Sequence, residues 1–204
     1  MTRRIALATQ NKGKIAEFER LLAEYASDIQ VLGLADFPEM PDVEETGSTF
    51  AANSLLKAHA VSEFTGLPAL ADDSGLCVDI LGGAPGIYSA RYSGVHGDDD
   101  ANIAKVLTEL ESEEKRSAHF ICVVAMTFPP ADAQHATEII QEGKLFGSIV
   151  RQPRGTAGFG YDPIFLPDGY ELTLGEFGAG EKDRISHRGK ALRAIAPQIT
   201  ALLS

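Results

Sequence analysis

Apolar and polar positions alternate along the chain in a way that divides it into short strands and amphipathic helices. Arg4 to Thr9 reads as a buried strand, and Lys14 to Leu22 as a helix with Ile15, Phe18 and Leu22 on one face. Ile29 to Leu32 predicts a second strand, followed by a Pro- and acid-bearing loop from Phe37 to Thr46. Thr49 is placed to cap a helix that runs to about Phe64 and stops at Gly66. Ala51, Leu55 and Ala58 form its apolar stripe, while Phe50, Asn53 and Lys57 share another face by their three- and four-residue spacing.

The run Ala69-Leu70-Ala71-Asp72-Asp73-Ser74-Gly75-Leu76 predicts an apolar strand that ends in two adjacent carboxylates. Leu81 to Tyr92 is too rich in Gly and Pro for a central strand. Asp98-Asp99-Asp100 precedes a helix carrying Ile103, Val106, Leu107 and Leu110, and acids at that end complement the helix dipole. That capping role is preferred here to a metal cluster. Ala118 to Phe128 and Thr137 to Val150 read as an antiparallel hairpin around a Pro-Pro loop. A last helix begins near His187, carries Leu192, Ile195, Ile199 and Leu202, and has Pro197 marking a kink. Internal repeats and low-complexity tails are lacking, and the order of elements predicts an α/β fold with a mixed sheet.

At 204 residues the chain is long enough for one sizeable core in one or at most two lobes. Its 18 Lys and Arg against 29 Asp and Glu leave a net charge of −11, which opposes general adhesion to nucleic acid or an anionic membrane. An anionic substrate must therefore be caught by a local basic pocket. The apolar run after Arg3-Arg4 is too short for a signal-peptide core, and no stretch approaches a membrane span. Cys77 and Cys122 sit apart in apolar segments without metal-ligand spacing, which predicts buried reduced thiols. Together these features predict a cytoplasmic protein.

Four clusters carry candidate chemistry. A strand that begins Leu-Pro-Ala-Leu-Ala has no structural need for Asp72 and Asp73, because an unpaired buried carboxylate is strongly disfavoured. Alternation along a strand would aim one acid at a site and the other at a supporting position, an arrangement that suits Mg²⁺; a solvated turn is the plain structural alternative. Thr9-Gln10-Asn11-Lys12-Gly13-Lys14 joins a strand to a helix start, where free N–H groups and the dipole favour a phosphate. It is not a Walker A loop, since Ile15 follows Lys14 where a hydroxyl should stand. In Gly155 to Pro163, three glycines allow close backbone approach, and Phe159 and Tyr161 offer flat surfaces to a base, the alternative being a turn with core aromatics. Glu181 to Gly189 concentrates cations and a histidine ahead of the last helix, where a solvated charge run is the usual explanation.

Taken together the clusters resemble the inosine triphosphate pyrophosphatase family, which hydrolyses deaminated purine nucleoside triphosphates to the monophosphate and pyrophosphate. The likeness runs through Ala8 to Lys14, Glu44 to Phe50, Ala71 to Leu76, Gly82 to Tyr92, Gly158 to Phe165 and Ser186 to Arg188, in family order. It implies one domain over residues 1–204, with an elongated mixed β-sheet flanked by helices and two lobes around a central nucleotide cleft. It also implies a homodimer and a Mg²⁺ cofactor. By this likeness Thr9, Gln10, Asn11, Lys12, Gly13 and Lys14 bind the triphosphate, with Lys57 near the phosphates. Glu45 and Asp73 hold the metal, and Asp73 is also the proton acceptor. Ser74, Phe159, Gly160, Tyr161, Asp162, Lys182, His187 and Arg188 match the other substrate positions. Two departures stand out: Gln10 replaces a glycine usual in the family, and Ala52 replaces a glutamate.

Hydrolysis at the α-phosphorus needs an aligned water, neutralised phosphate oxygens and a stabilised leaving group. Lys14 and Lys57 are the candidate cations. A carboxylate bound to metal is a poor base, so metal-lowered water acidity or Asp72 shares that work with Asp73. Arginine only donates hydrogen bonds, so Arg188 at the purine 6-position favours the carbonyl of hypoxanthine or xanthine over the amino group of adenine. A pyrophosphatase for pyrimidine or modified nucleotides, and a non-catalytic nucleotide sensor, are the competing expectations.

Overall fold

In a computed structural model of the protein, which describes residues 3–25, 29–129 and 138–202, strand β1 (Arg3–Leu7) turns into helix α1 (Lys12–Ala23) through Asn11. The Asn11 side chain accepts the Lys14 N–H at 3.1 Å, satisfying a donor that a helix start leaves unpaired. The strand thus stops two residues earlier, and the helix starts two residues earlier, than the apolar pattern predicts. A polar cap, not the first apolar residue, fixes the boundary. Strand β2 (Ile29–Gly33) follows, and helix α2 (Phe50–Thr65) begins at Thr49, whose hydroxyl accepts the Ala52 N–H, and ends at Gly66 with φ +65°. Both ends of α2 agree with the sequence reading.

Strand β3 (Ala69–Val78) corrects an expectation: it does not end at the acids but runs on through Asp72, Asp73, Ser74 and Gly75. Helix α3 (Asp99–Glu109) is capped by Asp98, as the capping reading requires. Strands β4 (Ser117–Thr127), β5 (Ile139–Ile149) and the short β6 (Phe165–Pro167) complete a six-stranded sheet of order β2-β1-β3-β4-β5-β6. It is mixed: β1 pairs in parallel with β2 and β3, and β5 pairs antiparallel with β6. Thr137 and Pro130, part of the expected hairpin, lie outside the described residues. A seven-residue helix, α4 (Ala179–Ile185), which the sequence reading did not predict, precedes α5 (His187–Leu202), inside which Pro197 lies.

The chain forms two compact units, Met1–Asp73 with Cys122–Gly143 and Gly189–Ser204, and Ser74–Ile121 with Lys144–Arg188. The core of the first joins Ile5, Leu7, Phe18, Leu21, Leu70, Met126 and Ile195, all nearly inaccessible. That of the second joins Leu76, Val106, Phe120, Ile149, Ile164 and Phe165. Each such fully buried side chain stabilises by about 1.5–3 kcal/mol relative to exposure. Cys77 and Cys122 are buried free thiols, as expected. Among the described residues no helix is long and apolar enough to cross a membrane.

Candidate active site

The first unit gathers the phosphate-loop residues and the acids. Thr9 Oγ1 accepts the Asn11 N–H at 3.2 Å, so both polar side chains of this turn brace its backbone. Gln10 reaches Asp42 at 3.3 Å, and no described non-glycine residue has a positive φ. The turn therefore does not need the glycine that Gln10 replaces, and its side chain is drawn toward the 37–49 segment. Gln10, Asn11 and Lys12 are exposed, while Gly13 and Lys14 are half-buried.

Lys14 Nζ lies 3.0 Å from Asp72 Oδ2, and the Asp72 side chain is completely shielded from solvent. Cys122 Sγ stands on the same oxygen at 3.9 Å. Asp72 is thus the acid of the pair that faces Lys14 in a site closed to solvent.

Asp73 faces a different set of partners. Its Oδ2 accepts from Asn53 Nδ2 at 3.0 Å, and its Oδ1 lies 4.0 Å from Lys57 Nζ. Lys57 Nζ also donates to Glu45 Oε1 at 2.6 Å, so one ammonium is shared by the two predicted metal ligands. Burial pulls the Lys57 pKa down, yet the field of Asp73, Asp72 and Glu45, with the Glu45 hydrogen bond, outweighs it and holds the ammonium above its ordinary value. For Asp73, burial foremost, helped by the Glu45 charge, raises the carboxyl above its ordinary value against Lys57, Asn53 and Lys14. The two directions agree: Asp73, Asp72 and Glu45 crowd Lys57, so that ammonium is held charged while the more buried acid of its pair is pushed toward its neutral form.

A cluster short of positive charge fits a hard cation. Mg²⁺ needs only one or two carboxylates and completes its shell with water and phosphate. Among the described residues no three His, Cys, Asp or Glu side chains gather as a metal cage, and Glu45 and Asp73 are the pair that could hold such an ion.

Asn53 is the residue that the site prediction missed. It is fully buried, and its Oδ1 accepts the Gly47 N–H at 2.8 Å while its amide holds Asp73, so it ties the Glu45 segment to Asp73. Since Oδ1 is taken by a backbone donor, only the NH₂ is left to face the carboxylate. The signal was present in the spacing that put Asn53 one turn before Lys57.

The second unit gathers the remaining candidates. Asp162 Oδ2 accepts from the Phe159 N–H at 2.9 Å and from Lys182 Nζ at 2.6 Å, both charged side chains being buried. Lys182 Nζ and the Arg188 guanidinium lie over the Phe159 ring, 4.7 Å and 5.4 Å from its centroid. Arg188 is 2% exposed and donates to Ser74 Oγ at 2.8 Å. His187 stacks on Phe120 at 4.6 Å with an 8° tilt. Tyr161 belongs to the second core and donates its hydroxyl to Ser89 O at 2.8 Å. Burial, followed by Tyr92, Asp99 and Glu109, raises its pKa, so it stays a donor. Of the two aromatics in the segment, Phe159 is the half-buried one and Tyr161 the core residue.

The glycines of this segment serve the protein's own packing. Gly158 has φ +77°, and a Cβ there would stand 2.0 Å from Asp162 Oδ2; one on Gly155 would meet Gly175 O at 2.0 Å. Gly158→Ala must therefore displace the carboxylate that holds Phe159 and Lys182. We expect a loss of about 2 kcal/mol, read as a Tm lowered by about 4–8 °C. An unchanged melting point would mean that Asp162 is not packed against this backbone.

The geometry can be set beside known proteins. A family model described as the Ham1 family matches residues 5–198. A Streptomyces avermitilis protein named dITP/XTP pyrophosphatase is 52% identical over 202 residues, covering 98% of each chain. A Bacillus anthracis protein of the same name is 46% identical over 199 residues, covering 97% of this chain and 96% of that one. A solved HAM1 protein structure from Coxiella burnetii superposes with a TM-score of 0.86 at 43% identity, covering 98% of this chain and 99% of that one.

Proposed function

The chain belongs to the Ham1 family, and from that premise we propose that it hydrolyses deaminated purine nucleoside triphosphates, ITP, dITP and XTP, to the monophosphate and pyrophosphate. The observation that carries the reading is the Glu45–Lys57–Asp73 cluster, in which two carboxylates share one ammonium and burial holds the Asp73 carboxyl above its ordinary value. A binding module has no need for such a group beside a phosphate loop.

In this reading the 9–14 turn and the start of α1 receive the triphosphate, and Lys14 and Lys57 neutralise its oxygens. Asp72, 3.0 Å from the Lys14 ammonium, holds that lysine in place for the phosphate. Glu45 and Asp73 would hold Mg²⁺, which when bound supplies charge neutralisation and a more acidic water. Asn53 fixes Asp73 through Oδ2, and the carboxylate so oriented takes the proton of the attacking water. Phe159, Lys182, His187 and Arg188 receive the base, braced by Tyr161 and Asp162; Ser74 sets Arg188. Residues 1–204 act as a single pyrophosphatase domain. We further propose a cytoplasmic homodimer without nucleic-acid or membrane partners, the net charge of −11 opposing both.

Product analysis tests the reaction. Inosine and xanthosine triphosphates should yield monophosphate and pyrophosphate only with Mg²⁺, and adenosine and guanosine triphosphates should turn over slowly. Diphosphate with orthophosphate would move the attack to the γ-phosphorus. Turnover confined to pyrimidine nucleotides would overturn the base assignment, and binding without product would favour a sensor.

A further inference from the structure

The Asp98-Asp99-Asp100 run divides into two jobs. Asp98 caps α3, its Oδ1 accepting the Ala101 N–H at 3.0 Å. Asp99 turns away from its own helix, and its Oδ2 accepts the Gly160 N–H at 2.7 Å. Two successive amides of the Phe159 segment are thus held by two different carboxylates, Phe159 N–H by Asp162 and Gly160 N–H by Asp99. The two tethers are not equivalent. Asp162 belongs to the segment itself, whereas Asp99 ties it to α3.

Helix α3 is in turn anchored. Asn102 accepts the Ser93 N–H at 2.7 Å and donates to Ala90 O at 3.4 Å, while Tyr161 closes the circuit on Ser89 O. At Gly160, with φ +59°, a Cβ would meet no atom within 4 Å, so side-chain packing does not fix the backbone there. The Asp99 hydrogen bond holds it directly, beside the Asp162 bond to the preceding amide. A charge-assisted bond of this kind is about twice as strong as a neutral one.

We propose that Asp99 is a positioning residue for base selection: it sets the Phe159 ring, over which Lys182 and Arg188 lie, and so sets the geometry in which the purine is read. The proposal rests on the reading that this segment receives the base, and it gives the second acid of the run a role that helix capping does not explain.

Equilibrium binding of inosine and adenosine triphosphates, measured without divalent metal so that turnover plays no part, tests it. Asp99→Ala should weaken inosine triphosphate binding by about tenfold and narrow its preference over adenosine triphosphate, consistent with the loss of one charge-assisted bond. Asp99→Asn, which keeps an acceptor, should restore most of both. Asp98→Ala, which removes the cap of α3 but not the Gly160 contact, should change neither. Amide exchange of the peptide that spans Gly160 should accelerate in Asp99→Ala alone, an effect readable even if nucleotide binding is lost. Wild-type binding and selectivity in Asp99→Ala, or an equal loss in Asp98→Ala, would overturn the proposal. Wild-type protein that binds nucleotide but gives no pyrophosphate would overturn the hydrolase reading and leave this one standing.

Discussion

Asp73→Asn is expected to lower kcat by about 10³-fold or more while inosine triphosphate still binds, because the change removes a proton acceptor and a metal ligand but leaves the amide contact to Asn53 available. The ligand-free protein gives the same prediction a second readout. The Asp73 carboxyl is raised above its ordinary value, foremost by burial, so between the unfolded and folded pKa values the folded chain binds more protons than the unfolded one. Its stabilising contribution is present below the unfolded value and is lost as pH rises through the folded one. A charged Asp73 is thus a cost to the fold that a bound Mg²⁺ would relieve. The wild-type Tm should rise with added Mg²⁺, and that rise should shrink as pH falls and protons compete for the carboxyl. In Asp73→Asn, which removes the buried charge, the metal-free Tm should rise and the Mg²⁺-dependent rise should vanish. A variant with near-wild-type turnover, or with an intact Mg²⁺ response, would remove Asp73 from both roles.

The same charge balance explains why parts of the fold were legible in the sequence and others were not. Helix α2 was read to both ends because Thr49 and Gly66 act locally, one by a side-chain hydroxyl and the other by a left-handed backbone. Strand β3 was cut short because Asp, Asp, Ser and Gly are turn formers in isolation, whereas here Lys14, Lys57 and Asn53 neutralise or bond the acids. Those partners lie far away in sequence, so no local pattern announces them. Helix α4 was hidden for a related reason. Its charges resemble a solvated run, yet Lys182, Asp183, His187 and Arg188 are all buried, and Lys182 is paired with an aspartate twenty residues upstream. Asn53 was seen on the correct helical face but not given a role, since only the fold brings Gly47 and Asp73 to its two ends.

Arg188→Ala is the second large expected effect, and it falls on selectivity. The guanidinium is buried, donates to Ser74 Oγ and lies over the Phe159 ring, contacts that help to set its direction. Because arginine has no acceptor, a base presenting a carbonyl at the 6-position gains a hydrogen bond there and one presenting an amino group does not. Losing that pairing should narrow the kcat/KM preference for inosine over adenosine triphosphate by about 10–100-fold. Removing a buried arginine also opens a void and takes a hydrogen-bond partner from Ser74, so absolute rates will fall for every substrate. The ratio is what isolates base reading. Guanine carries the same carbonyl as hypoxanthine, which supplies an internal control: the preference for inosine over guanosine triphosphate should hold in the variant while the adenosine ratio collapses. Arg188→Lys should recover little of it, because an ammonium offers neither the planar fork nor the stacking face that the Phe159 contact uses. If both ratios survive Arg188→Ala, the 6-position is read by another residue of this segment, and His187, stacked on Phe120 beside it, is the next to replace.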